Sequence, residues 1–332
     1  MAPPLFLHEY KEPGVWAVHA DRKIYHLPNL FVKRTLRRHE WIELEDGLIV
    51  QPTAAMPQRY KTDAAIQRYL REHTNIPLPS FVETFEDDGA MYLAMEFVSG
   101  AVPMDELFEA ERKVVEKELR VHMETLKSLR SDTPGVPGEE FLVGPVRVCG
   151  YRWHYHTCWR PRPGAFPAPK SGEDGKEGGG GQFVLCHNDL AQQNVLVDPK
   201  TLKIKAIIDW EFAGFWPPWF ERPWFERYGG SYAMEGEEDD TERCREWLLA
   251  NFEPVEQEHM LTLQEKIDTY PPVKLPKSGP ASADGEKEEE GKEKEEGKEK
   301  AEGEADVEEA TKGVAAVNIA EEGASATVNG QK

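Results

Sequence analysis

Short apolar runs separated by turn residues fill the first hundred positions, and they predict strands at 23–26, 30–32, 48–50 and 91–97. One stretch breaks this rhythm. Across 62–73 the apolar residues Ala65, Ile66, Tyr69 and Leu70 share one helical face, and Pro77 and Pro79 stop the helix shortly after. Ser99-Gly100 ends the strand-rich part. From Met104 the period turns helical, with Val115, Leu119, His122 or Met123, Leu126 and Leu129 at helix spacing and a stop at Asp132-Thr133-Pro134-Gly135. Further on, the apolar run Val195-Leu196-Val197, the turn Asp198-Pro199-Lys200-Thr201 and a second run at 204–208 predict a β-hairpin. Helices are expected around 241–252 and 255–269, and no internal repeat is visible. The pattern therefore predicts an α+β chain in two lobes: a small strand-rich N-lobe over residues 1–98 and a larger helical C-lobe over 99–276.

Composition changes the picture at two places. Residues 161–182 are rich in Pro, Gly and charge and read as a mobile insert. Its Gly178 to Gly181 run lacks the strand-to-helix context and the Gly-Lys-Ser/Thr ending of a phosphate loop. Beyond 276, the Lys/Glu-rich tail 277–332 holds 16 of the 61 acidic and 8 of the 40 basic residues. It has too few aliphatic residues to offset chain entropy, so it is expected to be disordered.

The first 276 residues keep about −13 of the net −21. With no net positive field, nucleic acid is not an expected partner. No apolar run is long enough to cross a bilayer, and the N-terminal residues lack the features of a secretory signal, so neither a membrane nor an oxidising compartment is implied. The expected location is a reducing cytoplasm in which Cys149, Cys158, Cys186 and Cys244 are free thiols. Cys149, His154, His156 and Cys158 do not have the spacing of a common zinc site. Nothing in the sequence bears on oligomeric state.

Chemistry concentrates at the hairpin. His187, Asp189 and Asn194 form an H-x-D-x-x-x-x-N arrangement before its first strand, and Asp209 ends its second strand, fifteen residues after Asn194. A loop before one strand and a carboxylate after the next converge at one end of a hairpin. Phosphoryl transfer from ATP requires such a set: a carboxylate to orient the acceptor hydroxyl, and an Asn and a second Asp to hold Mg²⁺ against the phosphates. A carboxylate at the end of the buried-looking run 206–208 also needs a counter-charge or a metal to offset desolvation.

The 186–214 block resembles the catalytic core of the aminoglycoside phosphotransferase and choline kinase superfamily, whose fold is similar to that of protein kinases. REHTNIPLPSF (71–81), AMYLAMEFVSG (90–100) and DWEFAGFWPPWFE (209–221) extend the resemblance to the fungal phosphotransferase-enzyme group, over most of residues 20–250. The resemblance implies Asp189 as catalytic base, Asn194 and Asp209 as Mg²⁺ ligands, and His187 as a brace of the catalytic loop. Lys33 would meet the ATP phosphates, with Asp63 as its acidic partner where the family usually has Glu. The backbone of Glu96, Phe97 and Val98 would meet the adenine edge. Asn188 and Trp210-Glu211 stand where protein kinases carry Arg and Phe-Gly, and no G-x-G-x-x-G lies in the N-lobe, which points to a small-molecule hydroxyl as acceptor. The competing readings are a non-catalytic nucleotide-binding or scaffold protein on the same fold, and a protein kinase.

Two further features suggest an acceptor surface. Trp216, Trp219 and Trp224 are placed either to stack on a sugar or cage a cation, or simply to pack the C-lobe. Glu235, Glu237, Glu238, Asp239 and Asp240 either attract a polyamine-like acceptor or form a solvated acidic loop.

Overall fold

The computed structural model describes residues 12–19, 21–43, 49–50, 55–149, 158–166 and 181–255. All of these lie in one compact unit. The expectations for the acidic tail, for His154 and His156, for most of the insert and for a helix at 255–269 fall largely outside them.

A five-stranded antiparallel sheet forms first, in the order β1-β2-β3-β7-β6. Its members are β1 (Val15–Val18), β2 (Arg22–Leu27), β3 (Leu30–Thr35), β6 (Val82–Asp87) and β7 (Ala90–Glu96). A small pair, β4 (Ile42–Glu43) and β5 (Ile49–Val50), lies between. Asp88 and Gly89 join β6 to β7 with φ of 48° and 69°. Two successive left-handed residues make a tight hairpin turn whose twist matches the strands, and Asp-Gly suits it because neither residue resists positive φ strongly.

Helix α1 (Met56–His73) covers one face of this sheet. It starts six residues before the predicted 62–73 helix, because Pro57 sits in its first turn, where the missing N–H costs nothing. Met56, Tyr60 and Ala64 of α1 pack on Val82, Met91, Leu93 and Met95. Strand alternation then sorts the basic residues of β3. Lys33 shares the α1 face with Phe31, whereas Arg34 turns to the other side. There Arg34 and its cross-strand neighbour Lys23 bind the buried Glu40 at 2.6 and 2.7 Å. Burial alone would raise the Glu40 pKa, but these two cations hold it at about 2.

Among the described residues, the remainder mixes helices with short strands. Two longer helices, α2 (Glu109–Ser128) and α4 (Thr241–Asn251), and the short α3 (Val146–Cys149) share it with three small sheets. These sheets comprise β8 (Val102–Pro103) with β13 (Val195–Asp198) and β14 (Lys203–Ile207); β9 (Arg130–Ser131) with β12 (Phe183–Cys186) and β15 (Gly214–Trp216); and β10 (Leu142–Val143) with β11 (Cys158–Pro161) and β16 (Phe252–Pro254). Helical spacing marks the buried stripe of α2, but the two- to four-residue strands are too short to leave a period of their own.

The predicted hairpin is β13–β14, paired from Val195↔Ile207 to Asp198↔Lys203. Asp198 closes its turn by accepting the N–H groups of Lys200 and Thr201 at 2.8 and 3.0 Å. Val195, Val197, Ile204 and Ile207 face a core shared with Leu119, Leu126, Leu185 and Trp210. The Ile207 N–H donates to the Pro77 carbonyl at 2.9 Å, which ties the end of the hairpin to the segment leaving α1. Among the described residues no helix is long and apolar enough to cross a membrane.

Candidate active site

Strand β12 delivers the chain into the loop that carries His187, Asn188 and Asp189. His187 is fully buried, its ring 4.4 Å from that of Trp210. Nε2 lies 3.0 Å from the Ile208 carbonyl, which can only accept, so Nε2 carries the proton. Nδ1 is then free to accept the Asp189 N–H at 3.3 Å. Burial lowers the imidazole pKa to about 4, against partial support from the Ile208 carbonyl, so the ring stays neutral at physiological pH. Its two bonds join the loop to the residue before Asp209.

Asn188 adopts φ 65°, a left-handed conformation that Asn tolerates better than most residues. Its side-chain amide donates to the Phe212 carbonyl at 3.0 Å, linking the loop to the 3-10 turn Trp210–Phe212. This is the structural use of an Asn where protein kinases carry Arg.

Asn194 donates Nδ2 to the backbone carbonyl of Asp189 at 2.7 Å and to its carboxylate at 3.3 Å. The Asn194 carbonyl accepts the Ile208 N–H at 3.0 Å, so Asn194 and Asp209 flank the base of the hairpin together. Asp209 itself is left-handed, with φ 66°. It meets Lys33 with Nζ–Oδ1 at 2.6 Å, across 176 positions of sequence. Burial opposes the Asp209 charge, but Lys33, then Arg22 and Arg59, hold its pKa down at about 2. A carboxylate ionised at every physiological pH and a carboxamide whose Nδ2 is already engaged leave oxygen donors, the atoms a hard cation such as Mg²⁺ takes.

The acid expected beside Lys33 is placed differently. Asp63 is fully buried in α1, and Gln67, one turn later, donates to its Oδ1 at 2.7 Å. Burial raises the Asp63 pKa to about 7 despite the nearby charge of Lys33. An acid one methylene shorter than Glu, held by Gln67, leaves Lys33 to Asp209. For a carboxyl raised on folding, the folded state holds the proton more tightly. The stability so gained is complete below about pH 4 and is lost as pH rises to about 7. Asp63→Asn should therefore gain on the wild type across that window, by up to about 4 kcal/mol. Urea denaturation at a series of pH values checks this, and a pH-independent difference would contradict it.

Several residues of the cluster had no signal in sequence. Arg59 of α1 pairs with the buried Glu211 and sits 4.7 Å from the Phe212 ring. Arg22 opens β2 within electrostatic reach of Asp209 and Glu211. The Glu96 carboxylate accepts the Ser80 N–H at 2.5 Å, and the Phe97 N–H donates to Asn29. Val98 makes no backbone hydrogen bond among the described residues.

The aromatic segment does not present its indoles to a ligand. Trp216 is fully buried against Phe220. Trp224 is buried with Arg227, Arg222 and Arg147 at 5.0 to 5.8 Å from its ring, and Trp219 carries Arg243 at 4.1 Å. The cations that occupy these faces are the chain's own. The acidic segment is likewise engaged: Glu237 holds Arg227, Asp239 accepts the Thr241 N–H, and buried Asp240 binds Arg147 at 3.0 Å. Cys158, Cys186 and Cys244 are buried free thiols.

At this site a loop carboxylate is bonded to an Asn, and a second carboxylate lies beside a buried lysine. The model of the phosphotransferase enzyme family matches residues 48–222, just over half of the chain, and the chain belongs to that family. Among solved structures it is similar to a thermostable mutant of aminoglycoside phosphotransferase APH(4)-Ia in its apo form. Identity is 16% over 71% of this chain and 77% of that one, with a TM-score of 0.38. No curated protein matches the chain.

Proposed function

We propose that the chain is an ATP- and Mg²⁺-dependent kinase that transfers a phosphoryl group to a hydroxyl of a small molecule, on a two-lobed kinase-like fold. The observation that carries this reading is the convergence of Asp189, Asn194, Asp209 and Lys33 at one end of the β13–β14 hairpin. Asp189 orients the acceptor hydroxyl and takes its proton. Asn194 and Asp209 hold Mg²⁺, which neutralises charge on the transferring phosphoryl group when bound. Lys33 exchanges its bond to Asp209 for the phosphate oxygens, and the backbone at Glu96 and Val98 receives the adenine. Asp63, once ionised above about pH 7, adds to the field that keeps Lys33 charged.

The test is transfer of labelled γ-phosphate from ATP to a library of hydroxyl-bearing small molecules, with purified full-length protein. At least one acceptor is expected to be labelled, and chelating Mg²⁺ should remove the labelling entirely. ATP binding that ignores the metal, with no transfer to any acceptor, would favour the non-catalytic scaffold. Labelling of generic peptides alone would favour a protein kinase.

A further inference from the structure

Strand alternation places Arg22, Ile24 and His26 of β2 on one face and sends Lys23 and Tyr25 to the other, toward Glu40 and Glu12. Ile24 pairs with Lys33 across β2 and β3, and Arg22 pairs with Thr35. Arg22 therefore shares the face of Lys33, where Asp209 lies. Aromatic rings gather at the other end of this face: Trp16 is 6.3 Å from Phe31, and His26 is 3.8 Å from Phe97. Trp16 is exposed there. His26 and Arg22 stand four residues apart, about 13 Å along the strand. The face is aromatic at one end and cationic at the other.

Arg22 carries charge that its neighbours do not absorb. Three cations act on Asp209: Lys33, Arg22 and Arg59. Two carboxylates are already engaged there, Asp209 with Lys33 and Glu211 with Arg59. Among the described residues Arg22 meets only Asp21, with Nη1–Oδ2 at 3.5 Å. That bond takes one of its five N–H donors, and the buried Nε has no acceptor. The side chain stays 22% exposed, so a ligand can reach it. The backbone offers little beside it. Strand β1 ends at Val18 and β2 begins at Arg22, and the three residues between cannot hold the six-residue G-x-G-x-x-G that covers phosphates in protein kinases. The His19 N–H is spent on the Arg22 carbonyl at 2.8 Å.

We infer that Arg22 is a phosphate-binding residue, whose guanidinium takes phosphate oxygens of the nucleotide in place of the backbone amides of a glycine-rich loop. This rests on the phosphotransferase reading of the site. A planar guanidinium suits a phosphate because two parallel N–H bonds can meet two oxygens. The anion supplies the charge that Asp209 and Glu211, already paired, do not. The aromatic end of the face receives the base, so the nucleotide runs along β2 with its phosphates at Arg22 and Lys33.

The experiment is calorimetric titration of adenosine, ADP and ATP into the full chain in EDTA, so that no metal contributes to binding. Arg22→Met keeps most of the apolar stem and removes the guanidinium. It should weaken ATP and ADP by about 10- to 100-fold, the size of a lost hydrogen-bonded charge pair, and leave adenosine within about twofold. Equal losses for all three ligands would mark Arg22 as a residue of the fold and overturn the inference. Unchanged ATP affinity in a folded R22M would overturn it too. Should R22M not fold, D21N carries the test. Releasing the guanidinium from Asp21 should tighten ATP by about 2- to 5-fold and leave adenosine unchanged, and an unaltered ATP affinity would count against the inference. If wild type binds neither adenosine nor ATP, the phosphotransferase reading itself fails. If wild type binds both and R22M holds ATP equally well, only the role of Arg22 falls.

Discussion

If Asp209 holds Mg²⁺ as proposed, Asp209→Asn should leave the protein folded and remove MgATP turnover, by roughly 10³-fold or more, since losing a metal ligand forfeits several kcal/mol of transition-state stabilisation. The fold survives for a local reason. Asp209 sits at φ 66°, and Asn is among the few residues that accept a left-handed backbone at little cost. Lys33 loses the negative charge of its 2.6 Å partner, though an Asn Oδ1 can still accept its proton, and it keeps Asp63 within electrostatic reach; that carboxyl ionises more readily once its like-charged neighbour is gone. Turnover assayed beside a thermal melt separates the two effects. Wild-type turnover in the variant would remove Asp209 from the chemistry.

The largest expected loss of stability lies away from the loop, at Arg147→Met. Arg147 is buried, pairs with Asp240 at 3.0 Å and caps the Phe220 carbonyl. Removing one member of a buried ion pair leaves an uncompensated charge, a cost of about 3–5 kcal/mol. The lower end is expected here, because Arg222 stands 3.8 Å from the same Asp240 carboxylate and can close on it. The midpoint of urea denaturation measures the loss, and a change under about 1 kcal/mol would show that the pair is not needed. Arg147→Met combined with Asp240→Leu should recover much of the loss, since replacing both charges by apolar groups removes the desolvation penalty as well as the attraction.

Local sequence carried much of the architecture. The β13–β14 hairpin, the buried stripe of α2 and most of the five-stranded sheet depend on residues within a few positions of one another. Alternation, turn chemistry and helical period can therefore be read directly. The short strands β8 and β9 could not be read this way, because their partners β13 and β12 lie far away in sequence and two residues have no period.

The same division holds at the site. The spacing of His187, Asp189, Asn194 and Asp209 was enough to predict that they meet, since a loop, two strands and a turn return the chain to one end. That Lys33 and not Arg34 lies on the α1 side follows from the pairing of β3 between β2 and β7, which turns one residue toward α1 and the next toward Glu40. That Lys33 takes Asp209 and not Asp63 follows from a missing methylene and the hold of Gln67. Only the tertiary structure decided that the tryptophans face the chain's own arginines and that the Glu221 carboxylate accepts the N–H groups of His187 and Asn188. Composition marks residues able to stack or to accept a hydrogen bond, but which partner they meet is set by packing across the core.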